Sequence, residues 1–265
     1  MEVIELLMLS ISAAFKAGEA IEEIYHKEFS IEYKEDKSPL TEADKSAHQI
    51  ITEFLSNTPY PILSEEGNNI EYEIRRDWSF FWMVDPLDGT KEFIKKNGEF
   101  TVNIALIKNG LPLLGVVYAP ILKKTYFAAR GYGSYMFEGK IPSDNFIDLI
   151  QKSNRLPINE LNGQYFVVAS RSHLNKETES FINNLKKTHK NISYKTIGSS
   201  LKLCIIAEGN AHIYPRMAPT MEWDTAAAHA VLKYAGGNVW QYESGIEMTY
   251  NKPELLNPWF VAEKR

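Results

Sequence analysis

Two aspartates stand three positions apart in Met83-Val84-Asp85-Pro86-Leu87-Asp88-Gly89-Thr90-Lys91-Glu92-Phe93, where an apolar run ends in acid and a Gly-Thr turn leads toward an expected helix. Carboxylates at a strand end are hard oxygen donors suited to a cation such as Mg²⁺, and backbone N–H groups at a helix start attract phosphate oxygens. The same residues would also serve as an Asp-Gly turn with a threonine cap. Glu65, in Ser64-Glu65-Glu66-Gly67, ends another short apolar run. If the two runs are neighbouring strands, it brings a third carboxylate to the same edge. Acids crowded without bases raise one another's pKa unless cations neutralise them, so such a cluster points to a metal.

Asp44 and Asp224 have simpler roles open to them. Thr41-Glu42-Ala43-Asp44 has the spacing of a capping box, and Met221-Glu222-Trp223-Asp224-Thr225 precedes an alanine-rich helix whose dipole an acid complements. An aspartyl-phosphate mechanism of the haloacid-dehalogenase type is set aside, because its two acids are separated by one residue and Asp85 and Asp88 are separated by two.

The elements that must position these acids are read from hydrophobic periodicity. Residues 2–27 form a long amphipathic helix with an irregularity expected at Gly18, and a second helix opens at Thr41 and ends before Pro59. Strands are expected at Pro61 to Leu63 and Phe80 to Val84, each running into its acids. From Phe100 the pattern becomes antiparallel sheet: Thr101 to Ile107, an Asn109-Gly110 turn, Leu114 to Tyr118, Thr125 to Ala129 and Gly133 to Phe137. The polar stretch 139–163, with Pro142, Pro157 and Gly163, is the candidate boundary. Beyond it strands (Phe166 to Ala169, Ser193 to Ile197, Ala211 to Tyr214, Asn238 to Trp240) alternate with helices (175–187, Ser199 to Ala207, Trp223 to Tyr234), an α/β pattern after an α+β one.

Composition narrows the function classes. With 265 residues, 44% hydrophobic, 24% charged and a net charge of −5, the chain is an ordinary globular one, long enough for two abutting halves. No basic run exceeds a Lys-Lys pair, which argues against a nucleic-acid polymer as partner. The single cysteine, Cys204, lies in an apolar stretch and reads as a core residue, and a reducing compartment is the simpler expectation. No stretch approaches a membrane span and the N-terminus lacks the basic start of a signal peptide, so a cytoplasmic protein is expected, with room for peripheral association at the inner face of the membrane.

Four segments then carry a resemblance: Ser38-Pro39-Leu40-Thr41-Glu42-Ala43-Asp44, Ser64-Glu65-Glu66-Gly67, Asp85-Pro86-Leu87-Asp88-Gly89-Thr90 and Trp223-Asp224-Thr225-Ala226-Ala227. Their order resembles the Mg²⁺-dependent, lithium-sensitive phosphatases that include inositol monophosphatase, fructose-1,6-bisphosphatase and 3′(2′),5′-bisphosphate nucleotidase. The resemblance spans nearly the whole chain. It implies a layered αβαβα sandwich with a cleft between residues 1–145, which carry most metal ligands, and 146–265, which carry the nucleotide-binding residues and the last ligand. Within the family the chain looks most like the bisphosphate nucleotidase branch. Lys91 after Thr90, Ser170-Arg171-Ser172-His173, Gly198-Ser199-Ser200-Leu201-Lys202 and Ile213-Tyr214-Pro215-Arg216 carry that choice.

The resemblance implies hydrolysis of 3′-phosphoadenosine 5′-phosphate to AMP and phosphate, with the nucleotide as the small-molecule partner and two or three Mg²⁺ per site. Glu65, Asp85, the Leu87 carbonyl, Asp88 and Asp224 would be the metal ligands, and Asp44, Glu65 and Thr90 would be catalytic, orienting the attacking water. Substrate would touch Glu65, Leu87, Asp88, Gly89, Thr90 and Asp224 around the transferred phosphate. His173, Ser199, Lys202 and Arg216 would take the rest of the nucleotide, with Lys202 and Arg216 supplying cations for the second phosphate. The rivals are an inositol phosphatase or sugar bisphosphatase of the same fold, and a non-catalytic nucleotide or metal sensor.

Overall fold

The alternation of side chains along the strands dictates the layers. In the run Phe81-Trp82-Met83-Val84 all four side chains are buried, the even ones with one hydrophobic cluster and the odd ones with another. A strand with both faces buried has to lie between two helical layers.

The computed structural model describes residues 1–33, 39–140, 145–161, 163–169 and 175–264. In chain order the first part comprises α1 (Val3–Tyr25), β1 (Ile31–Tyr33), β2 (Pro39–Thr41), α2 (Glu42–Leu55), β3 (Ile62–Ser64), α3 (Tyr72–Arg75), β4 (Phe80–Asp88) and α4 (Thr90–Ile94). Next come β5 (Thr101–Lys108), β6 (Leu111–Ala119), β7 (Lys124–Ala129), β8 (Gly133–Glu138), α5 (Phe146–Gln151) and β9 (Asn154–Arg155). The remainder is β10 (Tyr165–Val168), α6 (Lys176–Leu185), β11 (Ile192–Lys195), α7 (Leu201–Ala207), β12 (Ile213–Arg216), the 3₁₀ turn Glu222–Asp224, α8 (Ala226–Tyr234), β13 (Gly237–Gln241) and β14 (Phe260–Lys264).

Strands β3 to β9 form a seven-stranded sheet in sequence order, with β3 and β4 parallel and the other pairs antiparallel. A five-stranded sheet has the order β11-β10-β12-β14-β13, its first three strands parallel. Membership passes from one sheet to the other between Arg155 and Tyr165, at the C-terminal end of the polar stretch 139–163. Helices α1 and α2 cover one face of the larger sheet, sharing a cluster with Trp82, Val84, Val102, Ile104 and Val116. Its other face packs, through Phe81, Met83, Ala105 and Val117, on α7 and α8, which meet Val239, Phe260 and Ala262 of the second sheet. Ile182 of α6 closes the outer side on Val167, Ile213 and Val261. The αβαβα sandwich is present.

Some details depart from the expected elements. Helix α1 runs unbroken through Gly18. Glycine is there because a Cβ would lie 2.3 Å from the buried Tyr118 ring, a close approach rather than an irregularity. Trp223 sits in the 3₁₀ turn, and the α-helix starts only at Ala226. Strand β14, which alternation in a short C-terminal run did not reveal, is the antiparallel member joining β12 to β13. Cys204 is fully buried in α7, as its apolar context implied. Among the described residues, no helix is long and apolar enough to cross a membrane.

Candidate active site

The end of β4 carries a local irregularity that explains the Asp85/Asp88 spacing. Asp85 pairs with Asn103 of β5 and Asp88 with Thr101, so three steps on one strand match two on the other. In a regular strand, residues three apart point to opposite faces. The inserted residue of a bulge returns Asp88 to the face of Asp85, and a bulge also accommodates Pro86, which lacks an N–H for the ladder. That face is the one turned toward the middle helical layer.

Glu65 arrives by the parallel pairing of β3 with β4, which places Ser64 beside Val84, and the Glu65 N–H donates to the Val84 carbonyl at 3.1 Å. The sequence-level condition that the two acid-tipped strands be neighbours is met. Asp224 comes from the other side of the cleft on the 3₁₀ turn, its Oδ2 accepting the Met221 N–H at 2.9 Å. One carboxylate oxygen each of Glu65, Asp85 and Asp224 lie within 4.8 Å of one another.

This convergence shows in their electrostatics. Burial, then repulsion from Glu65, Asp88 and Asp224, holds Asp85 well above the ordinary carboxylate range. Burial followed by Asp88 pushes Asp224 up to about 8. Asp88 rises to about 6, burial outweighing the opposing pull of Lys202 and of the Ser200 N–H. Its Oδ2 accepts that N–H at 2.6 Å and the Asn103 amide at 3.4 Å. Leu87 is tied back by its N–H to Asp85 Oδ1 at 3.1 Å, and its carbonyl accepts from Thr90 Oγ1 at 3.4 Å.

Asp44 does cap α2: its Oδ2 accepts from the Thr41 N–H at 2.8 Å and from Thr41 Oγ1 at 2.6 Å. Its other oxygen serves a second purpose, accepting from Thr90 Oγ1 at 3.3 Å. The cap and the contact with Thr90 thus use different oxygens of Asp44. Burial raises the Asp44 pKa against the pull of the Thr41 hydrogen bonds.

Gly89 stands between Asp88 and Thr90 at φ +94°, a left-handed conformation that a side chain would strain, and a Cβ there would lie 3.3 Å from Ser199 Cβ. A cavity of about 270 Å³ is lined by Glu65, Asp85, Leu87, Asp88, Gly89, Thr90, Lys91 and Asp224. A second, of about 170 Å³, shares Asp88, Gly89 and Asp224 with it and adds Ser199, Lys202, Tyr214 and Arg216. Ser199 precedes α7 rather than opening it, at φ +47°. Lys202 Nζ donates to the Ser199 carbonyl at 3.0 Å, and Arg216 Nη2 donates to the Pro219 carbonyl at 3.0 Å. The buried Arg216 Nε has no hydrogen-bond partner among the described residues. His173, with the Ser170-Arg171-Ser172 run before it, lies outside the described residues, as does Ser38.

Sequence reading missed the residues that hold these groups from behind. Asn103, Thr101 and Ser200 form a buried hydroxyl–amide cluster under Asp88, with Ser200 Oγ donating to Asn103 Oδ1 at 2.8 Å. The one signal was two polar residues on the same face of an otherwise apolar strand, Thr101 and Asn103.

Comparison with known proteins agrees with the geometry. Residues 2–263 match the inositol monophosphatase family. The chain is 46% identical over 252 residues to the 3′(2′),5′-bisphosphate nucleotidase CysQ of Salmonella typhimurium, covering 93% of this chain and 95% of that one. The crystal structure of CysQ from Bacteroides thetaiotaomicron superposes with a TM-score of 0.92 at 49% identity, covering 99% of this chain and 98% of that one. A structure of an IMPase/NADP phosphatase complexed with Mg²⁺ and phosphate shares the fold, with a TM-score of 0.70 at 20% identity over 94% of this chain and 87% of that one. The bulged acidic strand, the parallel strand that brings Glu65 and the turn that brings Asp224 thus sit in a scaffold whose match runs almost end to end, and the chain belongs to the inositol monophosphatase family.

Proposed function

We propose that the protein is a Mg²⁺-dependent phosphomonoesterase of the cytoplasm that hydrolyses 3′-phosphoadenosine 5′-phosphate to AMP and phosphate. The observation that carries this is the convergence of Glu65, Asp85 and Asp224 within 4.8 Å beside a cavity bearing Lys202 and Arg216. Three clustered carboxylates, all hard oxygen donors and with the Asp85 and Asp224 pKa values raised, fit a hard divalent cation. Glu65, Asp85, the Leu87 carbonyl, Asp88 and Asp224 would hold two or three Mg²⁺. Bound Mg²⁺ supplies the positive charge that acidifies a water and offsets the charge of the phosphate.

The chain's own residues do the rest. Thr90 Oγ1, which donates to Asp44, accepts a hydrogen bond from the attacking water, so that water, hydroxyl and carboxylate form a relay with Asp44 at its end. Glu65 holds the same water from its other side. Gly89 and Thr90 cradle the transferred phosphate, and the new P–O bond forms as the bond to the ribose 3′-oxygen breaks, with no enzyme-bound phosphoryl group. Ser199, Lys202 and Arg216 take the second phosphate and ribose in the adjoining cavity, and His173 takes the adenine. The bisphosphate nucleotidase name of relatives at 44–46% identity supports this choice of substrate.

The test is phosphate release with Mg²⁺ from 3′-phosphoadenosine 5′-phosphate, inositol 1-phosphate and fructose 1,6-bisphosphate in parallel, with and without lithium. A strong, lithium-sensitive preference for the nucleotide is expected. Preference for either other substrate would keep the carboxylate site and overturn the roles of Lys202 and Arg216. No release from any of the three would overturn catalysis.

A further inference from the structure

Asp224 has to stand within a few ångströms of Glu65 and Asp85, yet it belongs to a three-residue 3₁₀ turn on the far side of the cleft. Two positions before it, Glu222 points the other way and is fully buried. Its Oε2 accepts the Asn251 N–H at 2.6 Å, and its Oε1 accepts the Lys252 N–H at 3.0 Å and Lys252 Nζ at 2.5 Å. The same segment is gripped from the opposite side by Arg75, at the end of α3, which lies between β3 and β4 in the chain and is itself buried. Its guanidinium donates to Asn251 Oδ1 at 2.8 Å and to the carbonyls of Lys252 and Pro253 at 2.6 and 2.8 Å. Asn251 Nδ2 returns a bond to the Arg75 carbonyl at 2.6 Å. Further along, Asn257 Nδ2 donates to the Met221 carbonyl at 2.7 Å, pinning the start of the same turn.

The connections form a polar strut: from Arg75, in the segment between the strands that carry Glu65 and Asp85, through Asn251 and Lys252, to the turn that carries Asp224. Buried ionic networks contribute little net stability compared with apolar packing of the same volume. What they do impose is direction, because each bond has a fixed donor, acceptor and angle. We propose that Arg75, Asn251 and Glu222 are positioning residues for the metal centre, acting through the backbone of the Glu222–Asp224 turn to hold Asp224 at ligand distance from Glu65 and Asp85. The inference rests on the reading of those three acids as metal ligands.

The probe is Mn²⁺, whose binding is read directly by the loss of the free-ion electron paramagnetic resonance signal. Wild type, Asn251→Gly and Glu222→Gln are compared, with thermal unfolding recorded on the same samples. Asn251 sits at φ +75°, a conformation glycine adopts freely, so Asn251→Gly deletes the side-chain bonds to Arg75 without straining the backbone. It keeps the test intact should Glu222→Gln fail to fold. Folded variants are expected to bind Mn²⁺ about tenfold more weakly, the low end of what loss of a partner behind a ligand costs. Their Mg²⁺ activation midpoint should rise to match, with kcat at saturating Mg²⁺ close to wild type. Wild-type Mn²⁺ affinity in a folded variant overturns the inference, and so does a lowered Tm with unchanged affinity. Failure of the wild type to bind Mn²⁺ would sink the metal reading itself.

Discussion

Ser200 donates its backbone N–H to Asp88 Oδ2 at 2.6 Å, a bond that spans 112 residues of sequence and crosses the cleft. It sets the segment carrying Ser199 and Lys202 directly against the tip of β4. Gly198 adds a parallel tie, its N–H donating to Glu99 Oε2 at 2.7 Å. The two cavities therefore share a wall fixed from both sides, and a group held in one is registered against the acids of the other.

Lys202→Met and Arg216→Met test what that registration is for. Each removes a cation from the smaller cavity and should raise KM for 3′-phosphoadenosine 5′-phosphate, lowering kcat/KM by roughly 10- to 100-fold, the equivalent of one charge-assisted hydrogen bond. An adenosine 3′-monophosphate without the second phosphate should lose much less. Steady-state kinetics on both substrates decide it, and equal losses would deny these residues that role.

Asp85→Asn keeps the shape of a buried side chain and removes a charge from the centre of the acid cluster. Phosphatase activity should fall more than about 100-fold, beyond the range for residues that only support a ligand. The metal-free variant should melt no lower than wild type, because the deleted carboxylate is repelled by Glu65, Asp88, Asp224 and Asp44. Turnover near wild type at saturating Mg²⁺ would end the assignment of Asp85 as a ligand.

Thr90→Val removes the hydroxyl that joins Asp44 to the cavity while keeping its volume. A loss of about 10²- to 10⁴-fold in kcat with little change in KM is expected for a broken proton relay. Thr90→Ser should restore most of the rate. A Val variant with normal kcat would make the 3.3 Å contact to Asp44 a purely local hydrogen bond.

The raised carboxylates set the pH dependence of stability. In the metal-free native chain Asp88 titrates at about 6 and Asp224 at about 8, against an ordinary value near 3.9 in an unfolded chain. The folded state therefore holds protons that the unfolded state has released, and stability falls as pH rises from about 4 through those values. Thermal melts in chelator should show Tm dropping between pH 5 and pH 8.5, with a shallower slope in Asp224→Asn. Mg²⁺ competes with the same protons, so the Tm gain on adding it should grow with pH. A flat or rising chelator profile that Asp224→Asn leaves unchanged would contradict these shifts.

Gly18→Ala sets two effects against each other. Alanine gains at most about 1 kcal/mol of helix propensity over glycine. Its Cβ would lie 2.3 Å from the Tyr118 ring, which is buried and has little room to move, and overpacking of this kind costs about 1–3 kcal/mol. Net destabilisation is expected in urea unfolding. A more stable variant would mean that Tyr118 yields easily.

Much of the site was legible because its acids end apolar runs. Phe80 to Val84 and the short run before Ser64 read as strands from hydrophobicity alone, and an acid at the tip of a buried strand is conspicuous. The bulge between Asp85 and Asp88 was not, since it depends on the register with β5, a long-range pairing with no local signature. Asp44 looked like a cap and is one. Its second hydrogen bond comes from Thr90, 46 residues away, which no local pattern reports. Gly18 was misread as a helix irregularity because the ring that requires it lies 100 residues on. Arg75 and Glu222 gave no signal as a pair: they are 147 positions apart, and what joins them is the hydrogen bonds that each makes to the segment 251–253.

The thiol of Cys204 lies in α7, inside the layer between the two sheets, fully buried, and burial pushes its pKa well above the ordinary value. Electrophiles attack the thiolate, so the native molecule offers them neither access nor the reactive charge state. Alkylation has to wait until α7 leaves its place, which turns the lone sulfur into a clock for opening events. With one cysteine in the chain, each molecule is either labelled or unlabelled, and the unlabelled fraction over time gives the opening rate of the layer that joins the two halves of the cleft.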